Sequence, residues 1–336
     1  MDRALPRSRV RLGPGAEFDL IRALLREDDA PAPGVVVGPG DDCAVLDGGA
    51  GAWAVSVDLS VEGVHFRRSW LTPEEIGWRA ASAALSDLAA VAAEPAAVLL
   101  ALALPDADAR SGAAVALQRG AASAARAVGA AVVGGDVTRT PGPLTVDVVV
   151  LGRVQRPLLR SGARPGDELW VTGRLGGAAA AVAAWERGEE PTPSLRSAFV
   201  RPTPRVREAL WLAATGHLHA LIDLSDGLAG DAGHIAAASG CRVVVSGPRV
   251  PVAGGTPRGR AALSLALSGG EDYELLLAAA PGALAPLAAD FEARFGVPLT
   301  RVGGVEEGEG VVLDRGDGAG AVPLAGGYDH FGAGGA

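Results

Sequence analysis

The chain has no lysine and no asparagine, and all thirty of its basic residues are arginine. This excludes a P-loop lysine, a Schiff-base cofactor and a lysine-dependent kinase site. Any phosphate chemistry must therefore run on arginine, backbone N–H groups and metal ions. Aromatic residues are scarce, 4% against 49% apolar in total, so the core must be built from Ala, Val and Leu. Cysteine is scarcer still. Cys43 and Cys241 have neither a disulfide framework nor metal-ligand spacing, and reduced thiols in a cytoplasmic protein are expected. The net charge of −9 leaves no basic stripe and argues against a nucleic-acid partner. No apolar run is long enough to cross a bilayer, so no membrane partner is expected. The Arg- and Pro-rich stretch Met1 to Gly15 lacks the apolar segment of a signal peptide.

What is present fits two ordinary α/β domains, or one large one, in 336 residues. Strand-like and helix-like segments alternate, which predicts an α/β or α+β architecture. FDLIRALLRE has helical spacing, and GVVVG and AWAVSVD read as strands. Thr72, Pro73 and Glu75 form a capping box with proline at the first helical position, opening a helix that should end before Pro95. AVLLALALP reads as a buried strand, the stretch 109–129 as one long helix, and AAVVGGD and LTVDVVVLGRV as strands. A boundary falls near Gln155 to Gly166. Beyond it come the strand ELWVTG, a glycine turn, a helix, the Pro-rich loop 189–205, and further strands and helices. The stretch 304–326 reads as a loose surface hairpin, and the final GAGGA should be disordered.

Carboxylates gather where these elements end. Asp41 and Asp42 sit in the turn GPGDDCAVL, Asp58 closes AVSVD, Asp136 closes VVGGD, and Asp223 and Asp226 flank the turn of IDLSDGL. Asp87 lies among Ala and Ser within the capped helix. Any one of these could be a turn or N-cap residue. Together, converging without lysine, they would repel strongly at low dielectric. A hard dication such as Mg²⁺ relieves that repulsion and bridges carboxylates to phosphates. VVGGD and SDG add backbone that can approach an anion, whereas TGRLGG reads as packing.

With these segments laid out, the chain resembles the thiamine-monophosphate kinase family, of the superfamily that includes aminoimidazole ribonucleotide synthetase. GPGDDCAVL, VSVDLSVEGVHF, SDLAAVAAEP, VGGDVTR, LLRSGARPGD, RPTPR, IDLSDGL and SGGEDYEL carry the resemblance, in order along nearly the whole chain. It implies two α/β domains, 1–154 for ATP, Mg²⁺ and dimerisation and 155–336 completing the site. It also implies a homodimer in which the N-terminal domains share a β-barrel. Matched motif by motif, Asp42, Asp58, Asp87, Asp136, Asp223 and Asp226 would bind several Mg²⁺ ions, with Ser56 nearby. Val57 stands where the family commonly has Thr and could serve only through its backbone. Gly135, Asp136, Arg160 and Ser225 would contact ATP, and His65 and Glu271 would face the thiamine phosphate. Ala325 replaces an aromatic common in the family, leaving Tyr328 to stack on the thiamine ring. Asp42, Asp226 and Arg160 are the implied catalytic set. Plainer readings stay open: His65 as a strand cap, Arg160 paired with Asp167, and Glu271 with Asp272 as a solvated turn.

The implied reaction moves the γ-phosphoryl group of ATP to thiamine monophosphate, giving thiamine diphosphate and ADP. The rivals are another ATP-dependent enzyme of the superfamily and a non-catalytic nucleotide- or metal-binding protein. Selenophosphate synthetase would want a reactive Cys in the N-terminal glycine-rich segment, and the hydrogenase-maturation branch a C-terminal Cys. Cys43 lies inside the DD turn and the tail has no cysteine.

Overall fold

A computed structural model of the chain describes residues 10–27 and 33–331. The expected helix at the start is α1, Ala16–Glu27. A first sheet follows, made of β1 Val35–Val37, β2 Ala44–Asp47, β3 Ala52–Val61, β4 Glu94–Leu104, β5 Ala131–Arg139 and β6 Thr145–Val154. Its order is β1-β2-β3-β6-β4-β5, antiparallel except for the parallel pair β4 and β5. The sheet is open within the chain and does not close into a barrel. Alternation along β3 puts Ser60 inside and leaves Val57 and Leu59 61% and 52% exposed on the other face.

Helix α2, Pro73–Ala90, covers the inner face of this sheet. The Thr72 hydroxyl accepts from the Glu75 N–H and the Glu75 carboxylate accepts from the Thr72 N–H, so the capping box is present in full. The long helix expected over 109–129 is two helices, α3 Asp106–Ser111 and α4 Ala113–Ala127, because Gly112 between them is left-handed at φ +80°. α2 and α4 cross at two glycines. A Cβ on Gly77 would stand 2.0 Å from the Leu117 carbonyl oxygen, and one on Gly120 1.9 Å from that of Glu74.

A second sheet is built from β7 Glu168–Thr172, β8 Leu218–Asp223, β9 Arg242–Ser246, β10 Leu275–Ala279, β11 Leu299–Glu306, β12 Gly310–Asp314 and β13 Ala321–Pro323. Its order is β13-β12-β9-β11-β7-β10-β8. The expected C-terminal hairpin is β12 with β13 at the sheet edge, while β11 belongs to the interior and pairs with both β7 and β9. Around the sheet lie α5 Gly177–Glu186, α6 Pro193–Val200, α7 Val206–Ala214, α8 Leu228–Ser239, α9 Arg260–Ser268 and α10 Ala288–Phe295. The Pro-rich stretch 189–205 is thus not all loop. Thr192 caps α6, with Pro193 in its first turn. α2 packs on elements of both sheets, touching β3 and β6 on one side and β8, α6 and α7 on the other. It is the shared wall of the molecule. The GAGGA tail, residues 332–336, and the first nine residues lie outside the described residues. Both cysteines are unpaired and buried, and among the described residues no helix is long and apolar enough to cross a membrane.

Candidate functional site

Three carboxylates from three elements meet at that wall. Asp42 comes from the glycine turn before β2, Asp87 from α2 and Asp223 from the last position of β8, and an oxygen of each lies within 4.8 Å of the others. Asp223 can sit there because β8 ends as the chain turns into α8. Asp87 is admitted by the small side chains around it on α2, where Ser86 and Ala90 are fully buried. Ser56 of β3 donates to Asp87 at 2.5 Å. Burial and the facing acids raise Asp87 well above the ordinary carboxylate range. Asp223 is pushed up to about 7 by burial first and by Asp42 second.

Among the described residues one guanidinium is bonded to this group. The Arg160 guanidinium grips Asp42 with two bonds, Nε at 3.2 Å and a terminal nitrogen at 2.8 Å. Its backbone N–H donates at 3.0 Å to Asp41, whose carboxyl is raised to about 7 by burial and by Asp42. Arg160 therefore does not pair with Asp167, which instead holds His219 at 2.9 Å. The side chains of Asp42 and Arg160 are 1% and 16% exposed, so this is an interior pair.

A second group adjoins the first. Asp58 lies on the inner face of β3, two residues beyond Ser56, raised to about 6 by burial and held down by Arg79. It does not close its strand, since β3 runs on to Val61 against β6. Arg79 of α2 pairs with Glu271. Its other terminal nitrogen donates to the Phe199 carbonyl at 2.7 Å, and its guanidinium carbon stands 3.8 Å above the Phe199 ring. The Tyr273 hydroxyl donates to Glu271 at 2.8 Å. Glu271 and Tyr273 both have positive φ, +74° and +50°, a conformation that costs a non-glycine residue energy and collects at functional sites. The turn is not a solvated one: Asp272 accepts the Gly176 N–H at 2.8 Å at the start of α5, and burial raises it to about 8. His65 accepts the Val61 N–H at 3.1 Å, so the strand-capping reading is met. Burial lowers its pKa to about 4. Its ring lies 5.0 Å from that of His330, which meets Tyr328 edge-on at 4.8 Å.

The third group follows the SDG turn. Asp226, Asp231 and His234 bring ligand atoms within 4.8 Å of one another. Asp231 accepts the Asp226 N–H at 3.2 Å, so that amide is not left free for an anion. Burial raises Asp226 to about 6 and lowers His234 to about 3. His234 Nδ1 lies against Gly13, where a Cβ would come within 2.2 Å. Ser225 offers its carbonyl to the Glu271 N–H at 2.7 Å, which zips this turn to the SGGED loop. A cavity of about 470 Å³ opens beside Asp226, between Phe18 of α1, His234 of α8 and the Gly326–Tyr328 segment.

Asp136 and Gly135 are not brought to these groups. β5 continues to Arg139, so Asp136 does not end its strand. The register row Leu59, Asp147, Ala101, Asp136 places it on the outer face, away from Ser56 and Asp58. Gly135 is needed for another close approach, because a Cβ there would stand 1.8 Å from the Leu100 carbonyl oxygen of β4. Val57 likewise points outward, leaving only its backbone on the inner side. The sequence reading missed Arg79, Tyr273, Asp231, His234 and His330. Asp231 and His234 were the readable pair, three apart on a helix just after SDG.

Comparison with known proteins places nearly the whole chain beside one family. The family described as AIR synthase related protein, N-terminal domain, matches residues 40–154, and its C-terminal domain family matches residues 164–315. The thiamine-monophosphate kinase of Rhodopirellula baltica is 36% identical over 301 residues, 84% of this chain and 87% of its own. That of Salmonella typhimurium is 36% identical over 335 residues, 94% and 98%. The solved structure of AaThiL complexed with AMPPCP and TMP superposes with a TM-score of 0.80 at 30% identity, over 94% of this chain and 97% of that one.

Proposed function

The chain belongs to the AIR synthase related family and, within it, to the thiamine-monophosphate kinases, and from that membership we propose how its residues perform the reaction. The substrates are ATP and thiamine monophosphate, in keeping with the relative solved with AMPPCP and TMP. The observation that carries the residue assignment is the meeting of Asp42, Asp87 and Asp223 at the wall between the two sheets. We place the division between the ATP-binding part and the part that completes the site at residues 154 and 155.

The donor set fits Mg²⁺. It is all oxygen and largely buried, and among the described residues the only guanidinium bonded to it grips Asp42 alone, leaving Asp87 and Asp223 to repel. Asp42, Asp87 and Asp223 would hold the ions, with Asp58, Asp226 and Ser56 beside them and the Val57 backbone within the same strand. Bound there, Mg²⁺ supplies neutralisation of the phosphate charge and alignment of its oxygens.

The chain's own groups do the rest. Arg160 fixes Asp42 and stands next to the phosphate path. The cavity beside Asp226 has room for the nucleoside end of ATP, with Ser225 in the adjoining turn. Glu271, His65 and Tyr328 face the acceptor, and His330 links the last two rings. The acceptor is a phosphate monoester whose second pKa is about 6, so at neutral pH its nucleophilic oxygen is already ionised and needs no general base. For Asp136, the metal-binding role implied by the family would depend on a second copy. Asp136 shares its face with Val57 and Leu59, which a homodimer would cover. The shared barrel would form from that face, in a cytoplasmic enzyme.

The test is a coupled assay for ADP release, with and without thiamine monophosphate. ADP formed only when the acceptor is present supports the assignment. No ADP with either would return the chain to a binding role.

A further inference from the structure

Arg79 is an arginine in an unusual place. Its side chain is 5% exposed and its fork is divided, one nitrogen on the Phe199 carbonyl and the other on Glu271. Arginine–carboxylate pairs are frequently bidentate, with two parallel N–H···O bonds, and this one is not. Here Glu271 Oε2 receives both the Arg79 nitrogen and the Tyr273 hydroxyl. Among the described residues no hydrogen bond goes to Oε1, although the Glu271 side chain is 28% exposed.

The backbone reinforces this. Residues 271 and 273 are both left-handed, and the intervening Asp272 is tied to the Gly176 amide. The Glu271 and Tyr273 N–H groups are bonded to the carbonyls of Ser225 and Leu224. The Arg79 guanidinium lies over Phe199 and 5.9 Å from the centre of the Tyr273 ring, so neither holder can swing away freely. Several kinds of contact from α2, α6 and the loop after α9 converge to orient one carboxylate.

We propose that Arg79 is a positioning residue for acceptor recognition, holding Glu271 by one oxygen together with Tyr273 so that Oε1 is presented to an N–H donor of the acceptor's heteroaromatic portion. In thiamine monophosphate that donor is the amino group of the pyrimidine ring. The inference rests on the reading of Glu271 as an acceptor residue. Because the contact is distant from the transferred phosphoryl group, it contributes equally to ground state and transition state, and its loss shows in KM rather than kcat.

The experiment is a double-mutant cycle on the full-length enzyme with saturating ATP and Mg²⁺. Arg79→Lys and Tyr273→Phe should each raise KM for thiamine monophosphate about tenfold, with kcat and KM for ATP within about twofold. In a Glu271→Ala background neither should raise it further, since the group they orient is gone. Equal losses in kcat or in KM for ATP, or an undiminished effect in the Glu271→Ala background, would overturn the proposal and mark Arg79 as a structural strut. Should Arg79→Lys fail to fold, the Tyr273→Phe arm decides alone. Glu271→Ala with an unchanged KM for the acceptor would instead remove the reading of Glu271. A raised KM there, with no effect of Arg79→Lys or Tyr273→Phe, would remove only the positioning role.

Discussion

Arg160 and Asp42 are joined by two N–H···O bonds across the junction between the first sheet and the segment that leads into the second. The guanidinium is spoken for. In the proposed reaction it would act first by fixing a carboxylate and only then by proximity to phosphate.

Arg160→Ala should therefore do more than weaken nucleotide binding. Removing one partner of a buried pair leaves the other uncompensated, at about 3–5 kcal/mol. Denaturant unfolding should register that loss, and the Mg²⁺ concentration needed for half-maximal activity should rise. Arg160→Lys should recover only part, because a point charge cannot replace a two-pronged grip. A change confined to KM for ATP, with stability and Mg²⁺ dependence untouched, would show that the side chain serves the nucleotide alone.

Proton linkage gives a second outcome with a definite sign. Asp41 and Asp223 are raised to about 7, and Asp272 to about 8. Each folded-state pKa lies above the unfolded value, so the folded protein takes up protons. Stability from these groups is present at low pH and lost as pH rises through 7 to 8. His65 and His234 are lowered and act the other way, but only below their unfolded value near 6.5. Between about pH 6.5 and 8, among the described residues, the raised carboxylates set the sign. In EDTA the melting temperature should fall across that window, and added Mg²⁺ should raise it by an increment that grows with pH. Asp223→Asn should flatten the slope in EDTA, shrink the Mg²⁺ increment and cut turnover by at least about a hundredfold. A melting temperature that climbs with pH in EDTA would refute the linkage.

The acceptor supplies a third. Unphosphorylated thiamine should be a very poor substrate, because its alcohol would need a general base where an already ionised phosphate oxygen needs none. The nucleotide product should be ADP, since only the γ-phosphoryl group moves. Chromatography of the nucleotides after incubation with thiamine or its monophosphate checks both points. AMP as the stoichiometric product, or equal rates with the two acceptors, would contradict direct transfer.

The outer face of the first sheet offers a fourth. Val57 and Leu59 project there, well exposed, where a monomer would gain nothing from them. Val57→Asp should convert a dimer into a monomer in light scattering while leaving the circular dichroism spectrum intact. A wild-type chain that runs as a monomer at micromolar concentration would dispose of the homodimer.

Local chemistry was the legible part of this molecule. Thr72-Pro73 with Glu75 wrote out a helix start completely, and the same Thr-Pro pair at 192–193 wrote a second one inside a stretch that looks like loop. Acids in turns led to Asp42 and Asp223. Strand length was not legible, because β3 and β5 continue past Asp58 and Asp136 only as far as their partner strands do. Neither was Arg79. It is one basic residue in an Ala-rich helix, and its partner Glu271 lies 192 positions later. Contacts of that separation leave no periodic trace in one sequence.

The glycine crossing of α2 and α4 bears on how this protein can be engineered. Replacing helical glycine with alanine is an ordinary route to heat resistance, since it restricts the unfolded chain. At Gly77 and Gly120 the added methyl would meet rigid backbone, the Leu117 carbonyl oxygen at 2.0 Å and that of Glu74 at 1.9 Å. α2 would have to slide or tilt off α4 to make room, and it carries both Arg79 and Asp87. A substitution that looks like reinforcement would shift the carboxylate and the guanidinium together, so a thermostabilised version must keep Gly77 and Gly120 as they are.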